Sequence, residues 1–323
     1  MKAVQFNETG GSDVLKLVDI PKPVPKSSEV LIKVEYAGVN FIDTYLRSGL
    51  YPVPLPCVAG REAAGVIAEL GADVSPDLGL QVDDRIAVFS PGAMAEYMVA
   101  DAKAVLKLPR DVSTKQGAAI MLQGLTAWTL CRDAHELKNG ETALVQAAAG
   151  GTGGLLVQMA KSLGATVIGT TSTAAKAEVA KSHGCDHVII YTEQNVEEEV
   201  SKLTDGKGCH VVYSGIGQAT VQADMAMTRR KGTFVTFGNS SGAIASIKPL
   251  DLSKKNIRLV RPTLANYITE REEFLARSGE LLDLVENGTV KVNFGAEYSL
   301  AEVGKAQEDL VSKKTVGKLI VKI

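Results

Sequence analysis

Cysteine and tryptophan are scarce in this 323-residue sequence, and long apolar runs are missing altogether. The four cysteines, Cys57, Cys131, Cys185 and Cys209, stand far apart and form no Cys-x-x-Cys pair. That spacing excludes a local zinc knuckle and speaks against a disulfide scaffold, so the four read as reduced, mostly buried thiols. No stretch approaches the roughly 20 apolar residues of a membrane helix. The opening MKAVQFNETGG reads as strand and turn and lacks the basic and apolar regions of a signal peptide, so a cytoplasmic protein is expected. An excess of either charge is also lacking, with 35 Lys and Arg against 37 Asp and Glu. Without a basic stripe or stacking aromatics, tight RNA binding is not expected.

What is present has two rhythms. Up to about Leu108, short strands such as KAVQF, EVLIKVEYAGV, AAGVIAEL, DRIAVF and AEYMVA are broken by Pro and Gly, the spacing of a small antiparallel β domain. From Ser113, a helix is expected over STKQGAAIMLQGLTAWTLCRDAHEL, with Ser113 as its cap. Continuous apolar strands then alternate with helices: TALVQA, ATVIGTT, HVIIY, HVVYSGI and TFVTFG are the strands, and ATVQADMAMTRRKG is the last intervening helix. Unbroken apolar strands fit a parallel sheet covered on both faces, hence an α/β, doubly wound domain. Two amphipathic helices after Leu264 lead to a last strand, GKLIVKI, expected to return to the first domain. The second domain then reads as an insertion, with the site expected in the cleft between the two lobes.

AAAGGTGG, residues 147–154, follows the first parallel strand and opens the next helix. Against G-x-G-x-x-G it reads Ala148-x-Gly150-x-x-Gly153, with the first glycine replaced. Gly150 is expected to let the backbone approach a pyrophosphate and Gly153 to let helix and strand pack closely. Ala149, Gly151 and Thr152 complete the loop at a helix N-terminus, where free N–H groups and the helix dipole favour phosphate. An NAD site carries an acid about 20 residues on, bonded to the ribose 2′-hydroxyl. Here GTTSTAAKAE, residues 169–178, holds no acid before Glu178. Thr171, Ser172 and Lys176 stand in its place, with Tyr191 at the end of the next strand as a further hydroxyl. That set suits a 2′-phosphate and so predicts NADPH, although Lys176 alone also reads as part of a solvated helix face.

NFIDTYLRSGLYP, LPCVAGREAAG, AAAGGTG, FGNSSG and RPTLANYI together resemble the zinc-free quinone oxidoreductase (zeta-crystallin-like) branch of the medium-chain dehydrogenase/reductase superfamily. The resemblance covers essentially the whole chain. It implies a GroES-like catalytic domain over 1–123, a Rossmann NADPH-binding domain over 124–264, and a return to the catalytic domain over 265–323. Zinc alcohol dehydrogenases of the superfamily carry Cys where this chain has Asn40, and His where it has Arg61; they also insert a four-Cys lobe that FSPGAMAEY lacks. The resemblance thus implies metal-free reduction of an acceptor needing little activation, a quinone or an activated alkene.

By the same resemblance, Asn40 and Asp43 hold the nicotinamide end, Tyr45 bonds or stacks on the quinone, and Gln123 is a further catalytic candidate. Thr126, then Phe237, Gly238, Asn239 and Ser240, and Lys313 near the C-terminus, are implied cofactor neighbours. Asp43 also reads as a helix-start cap, Tyr45 as a core aromatic, and Cys57 as structural. The segment Ile257–Leu264 is implied to pair across a two-fold axis as a homodimer edge. The leading function is NADPH:quinone reduction. An enone or enal (C=C) reductase is the alternative among enzymes, and an AU-rich RNA-binding or crystallin-like structural protein the alternative of another class.

Overall fold

The computed structural model describes residues 1–323. In chain order its strands are β1 (Lys2–Phe6), β2 (Lys16–Asp19), β3 (Glu29–Val39), β4 (Cys57–Val58) and β5 (Glu62–Leu70). Next come β6 (Arg85–Phe89), β7 (Tyr97–Asp101), β8 (Val105–Lys107), β9 (Thr142–Val145), β10 (Thr166–Thr171) and β11 (His187–Ile190). The last are β12 (Cys209–Ser214), β13 (Thr228–Thr236), β14 (Arg258–Val260), β15 (Phe294–Ser299) and β16 (Lys318–Lys322). The chain divides into two compact units: residues 1–125, 269–286 and 292–323 form one, and 126–268 with 287–291 the other.

In the first unit, β1, β2 and β4 form a small antiparallel sheet and seven strands form a larger one in the order β15-β16-β3-β5-β6-β8, with β7 also on β3. All pairs in the larger sheet are antiparallel except β15 with β16. Burial of Ala3, Val4 and Phe6 in β1, and of most of β3 and β5, feeds one core of Val30, Ile32, Ile67, Ile86, Met94 and their neighbours. β3 carries Asn40 at its end, and β5 begins at Glu62, so the long central pair of the sheet presents both residues close together.

The second unit is a six-stranded parallel sheet in the order β11-β10-β9-β12-β13-β14. From β9 the chain runs outward to β10 and β11, then returns to β12 on the other side. The reversal of strand order falls at β9 and β12, where doubly wound sheets bind ligands beyond the strand carboxyl ends. The α/β class and the parallel arrangement agree with the sequence expectation.

Two expected helices are corrected. The single helix from Ser113 is broken into Thr114–Ile120, Gln123–Thr129 and a wide turn at Leu130–Ala134. At the first break the Leu122 N–H is turned to the Glu62 carboxylate, 2.7 Å away. The other is ATVQADMAMTRRKG, whose helix stops at Met227; Thr228 is already extended and TRRKG belongs to β13. Of that segment only Thr228 pairs with β12, opposite Cys209; residues 229–232 bulge out of the ladder, with Lys231 at φ of 64°, and pairing resumes at Thr233.

Candidate functional site

The glycine loop lies at the carboxyl end of β9. The left-handed turn residue is Ala147, with φ of 56°, not the Ala148 that replaces the fingerprint's first glycine. The Ala147 carbonyl accepts the Gly150 N–H at 2.9 Å, and Gly150 caps the helix Gly151–Ser162. A Cβ on Gly153 would fall well inside 3 Å of the Ala147 oxygen and at 3.0 Å from its carbonyl carbon. Gly153 therefore brings the first helical turn down onto the loop itself. At Gly150 a Cβ would meet only the Ala147 oxygen, at 3.2 Å, with open space otherwise.

A buried polar lattice that the sequence reading did not anticipate supports this loop. Gln146 Nε2 donates to Asp224 Oδ1 at 2.7 Å and Gln146 Oε1 accepts from Thr170 Oγ1 at 2.5 Å. Thr170 Oγ1 in turn accepts the Ala147 N–H at 3.3 Å, and Thr220 Oγ1 donates to Asp224 Oδ2 at 2.7 Å. Burial pushes the Asp224 carboxyl upward, opposed by the bonds from Gln146, Thr220 and Ser214. These residues tie the ends of β9, β10 and β12 together, so the loop backbone is held from below.

Thr171 is the last residue of β10, buried, and Ser172 follows it. Thr173 caps the helix Ala174–Ser182, its hydroxyl accepting the Lys176 N–H at 3.3 Å. Partial burial lowers the Lys176 ammonium from its usual range. Tyr191, just past β11, is 47% exposed and donates its N–H to Thr171 at 3.0 Å. Thr171, Ser172, Lys176 and Tyr191 thus gather at the neighbouring ends of β10 and β11, with no carboxylate among them.

Beyond β13, Phe237–Ser240 interlock with the turn after β12. Phe237 N–H bonds Ser214 at 2.9 Å, Ser240 N–H bonds Gly215 at 3.1 Å, and a Cβ on Gly238 would strike the Gly215 carbonyl. Asn239 is buried in this pair of turns. Thr126 is half-buried in the helix Gln123–Thr129, its carbonyl accepting the Thr129 hydroxyl. Lys313 is exposed in the first unit with φ of 59°, after the helix Val303–Val311.

The first unit holds its own cluster. Asn40 caps the helix Phe41–Ser48, and Asp43 Oδ2 accepts the Asn40 backbone N–H at 2.8 Å. The amide of Asn40 is fully engaged within the protein. Oδ1 accepts from Gln123 Nε2 and Lys318 Nζ, both at 3.0 Å, while Nδ2 donates to Glu62 Oε1 at 2.7 Å. Lys318 also pairs with Glu62 Oε1, and both are sealed from solvent. Gly38 makes room for that pair, because a Cβ there would come 2.6 Å from Lys318 Nζ. Two buried oxygens in the cluster stay unpaired, Asp43 Oδ1 and Gln123 Oε1. Burial raises the Asp43 carboxyl to about 7 against the pull of its Asn40 bond and of Lys318. Tyr45 lies on the same helix, buried, packed edge-on against Tyr51 at 5.4 Å between ring centroids.

Asn40, Asp43 and Gln123 are brought together as the sequence reading grouped them. Glu62 and Lys318, which join them, were not singled out. Glu62 stood in a motif already in view, GREAAG, whereas nothing local marks Lys318 as the partner of a residue 256 positions away.

Two families match this chain: the alcohol dehydrogenase GroES-like domain over residues 26–110 and the zinc-binding dehydrogenase over 151–279. The donor set does not fit the zinc of the second description. No three His, Cys, Asp or Glu side chains are grouped to hold a metal ion, and the Lys318 ammonium sits on Asn40 Oδ1, where it would repel a cation. A quinone oxidoreductase of Pseudomonas aeruginosa is 38% identical over 99% of both chains. A mycobacterial protein solved with NADPH superposes with a TM-score of 0.97 at 40% identity over the full length of both chains. The Escherichia coli quinone oxidoreductase, also solved with NADPH, gives a TM-score of 0.96 at 37% identity over the full length of both. No helix is long and apolar enough to cross a membrane. With near full-length identity to quinone oxidoreductases and the same two-part fold, this chain belongs to the quinone oxidoreductase branch of the medium-chain dehydrogenase/reductase superfamily.

Proposed function

We propose that this protein reduces quinones with NADPH. The observation that carries the choice of cofactor is the acid-free end of β10. Beside the glycine loop, where an NAD enzyme keeps a carboxylate for the 2′-hydroxyl, stand Thr171, Ser172 and Lys176, with Tyr191 one strand over. The cradle suits a dinucleotide: Ala149, Gly151, Thr152 and Gly153 offer backbone N–H groups at a helix start, where the dipole favours a pyrophosphate. Lys176 and the hydroxyls of Thr171, Ser172 and Tyr191 hold the 2′-phosphate. Thr126, the turn Phe237–Ser240 and Lys313 are assigned to the rest of the cofactor by family resemblance.

When bound, the nicotinamide supplies a hydride. The protein's own part is positioning, a dry site and hydrogen bonds, since a quinone spreads incoming charge over its conjugated ring. In the first unit Asn40 acts as a hub, its backbone bonded to Asp43 and its amide to Gln123. Asp43, Gln123 and Tyr45 are the groups assigned to the reactants. The reading is tested by steady-state turnover of 1,2- and 1,4-quinones and of enals with NADPH and with NADH. NADPH preference and quinone turnover are expected. Turnover of enals alone would move the protein to the C=C reductases. The edge strand β14, paired only with β13, is the proposed homodimer seam.

A further inference from the structure

The hydrogen bonds around Asn40 have a direction set by charge. An ammonium can only donate and a carboxylate can only accept, so Lys318 and Glu62 each dictate which end of the amide faces them. Lys318 takes Oδ1 and Glu62 takes Nδ2. With Oδ1 committed as an acceptor, Gln123 must offer it Nε2, as it does at 3.0 Å. The other end of that amide, Oε1, is therefore presented as an acceptor, and it is buried without a partner. Asp43 Oδ1 is a second polar atom of the same cluster left without a partner. A buried acceptor left unpaired costs about 1–3 kcal/mol, a cost that a donor on a bound molecule removes.

We propose that Lys318, acting through Asn40, fixes Gln123 as a hydrogen-bond acceptor, so that the site selects a neutral O–H or N–H donor on its reactants. The inference rests on the quinone reductase reading. It makes Lys318 and Glu62 positioning residues and Gln123 Oε1 the contact. The donor is either a hydroxyl of the hydroquinone product or the carboxamide N–H₂ of the nicotinamide. Lys318 is 1% exposed and wedged against Glu62 over the space left by Gly38, so the charge cannot swing away to water. Without that charge Glu62 alone orients the Asn40 amide, and the Asn40–Gln123 pair is held less firmly, so Gln123 can turn its N–H₂ outward.

The test measures two ratios in the full-length protein: inhibition by a hydroquinone against its dimethyl ether, and binding of NADP⁺ against its 3-acetylpyridine analogue, which lacks the N–H₂. In the wild type one donor-bearing ligand is expected to bind about 10-fold more tightly than its donorless partner, the worth of one buried hydrogen bond. The pair that shows the preference names the source. Lys318→Met and Gln123→Met should each shrink that ratio to about 2-fold or less, and Lys318→Arg should restore it. An unchanged ratio in Lys318→Met, or in Gln123→Met should the lysine variant not fold, overturns the proposal. So does a wild type without preference in either pair. Absence of any quinone turnover by the wild type with NADPH would instead sink the underlying function.

Discussion

Gly150 and Gly153 have different duties, and replacing each with alanine separates them. At Gly153 the added Cβ falls well inside 3 Å of the Ala147 carbonyl oxygen, closer than real Cβ atoms come. That carbonyl closes the loop on Gly150 N–H, and the Ala147 N–H is held by Thr170, so the obstacle is backbone fixed at both ends. Overpacking of this kind costs about 1–3 kcal/mol, offset by up to about 1 kcal/mol from alanine's better helix propensity. The net expectation for Gly153→Ala is a loss of about 1–2 kcal/mol, or about 2–6 °C in the melting of the second unit. Gly150→Ala meets only a 3.2 Å contact, so its stability should stay within about 0.5 kcal/mol of wild type. If the pyrophosphate crosses that open side of the loop, Gly150→Ala should nonetheless weaken NADPH binding about 10-fold or more. Scanning calorimetry and titration of NADPH fluorescence measure the two effects. Equal melting losses in both variants, or full NADPH affinity in Gly150→Ala, would refute the division of roles.

Three further predictions follow from the same residues. Lys176→Ala should raise KM for NADPH about 5- to 30-fold, the worth of a partly desolvated charge-assisted bond, and leave KM for NADH unchanged; equal changes for both would remove Lys176 from the 2′-phosphate. Asp43, raised to about 7 by burial, keeps in the folded protein a proton that the unfolded chain releases near 4. Its contribution to stability is therefore full below that lower value and declines as pH rises toward 7 and beyond, by up to about 4 kcal/mol. Denaturation midpoints from pH 4 to 8 should lose that slope in Asp43→Asn, and an identical slope in the variant would contradict the assignment. A β14 seam predicts a homodimer by sedimentation, dissociated by Leu259→Lys; a monomeric wild type would exclude it.

Much of the architecture could be read from local pattern. KAVQF and EVLIKVEYAGV are strands at their expected bounds, DRIAVF starts one residue later, at Arg85, and the alternation of apolar strands with helices marked the parallel sheet. The failures occur where tertiary contacts outweigh propensity. Leu122 breaks a helix because its N–H is claimed by Glu62, and the next helix stops before TRRKG because Thr228, and then Thr233 onward, pair with β12. β15, a short FGAEYS between two helices, carries too little apolar signal to be noticed and depends on pairing with β16. In the candidate site, Asn40, Asp43 and Gln123 were legible through motif resemblance. Lys318 was not, because a lysine in an apolar terminal strand looks like a solvated end until the fold buries it against Glu62. The Gln146–Asp224 support under the glycine loop was hidden for the same reason: its members lie 78 residues apart.

The most direct measurement of the central claim is steady-state turnover of a 1,4-quinone with NADPH and NADH side by side. Quinone reduction with kcat/KM at least about 10-fold higher for NADPH is the predicted result, since only NADPH carries the phosphate that Thr171, Ser172, Lys176 and Tyr191 would hold. Equal use of the two cofactors would contradict the reading of the β10 end, and no quinone turnover with either would contradict the function.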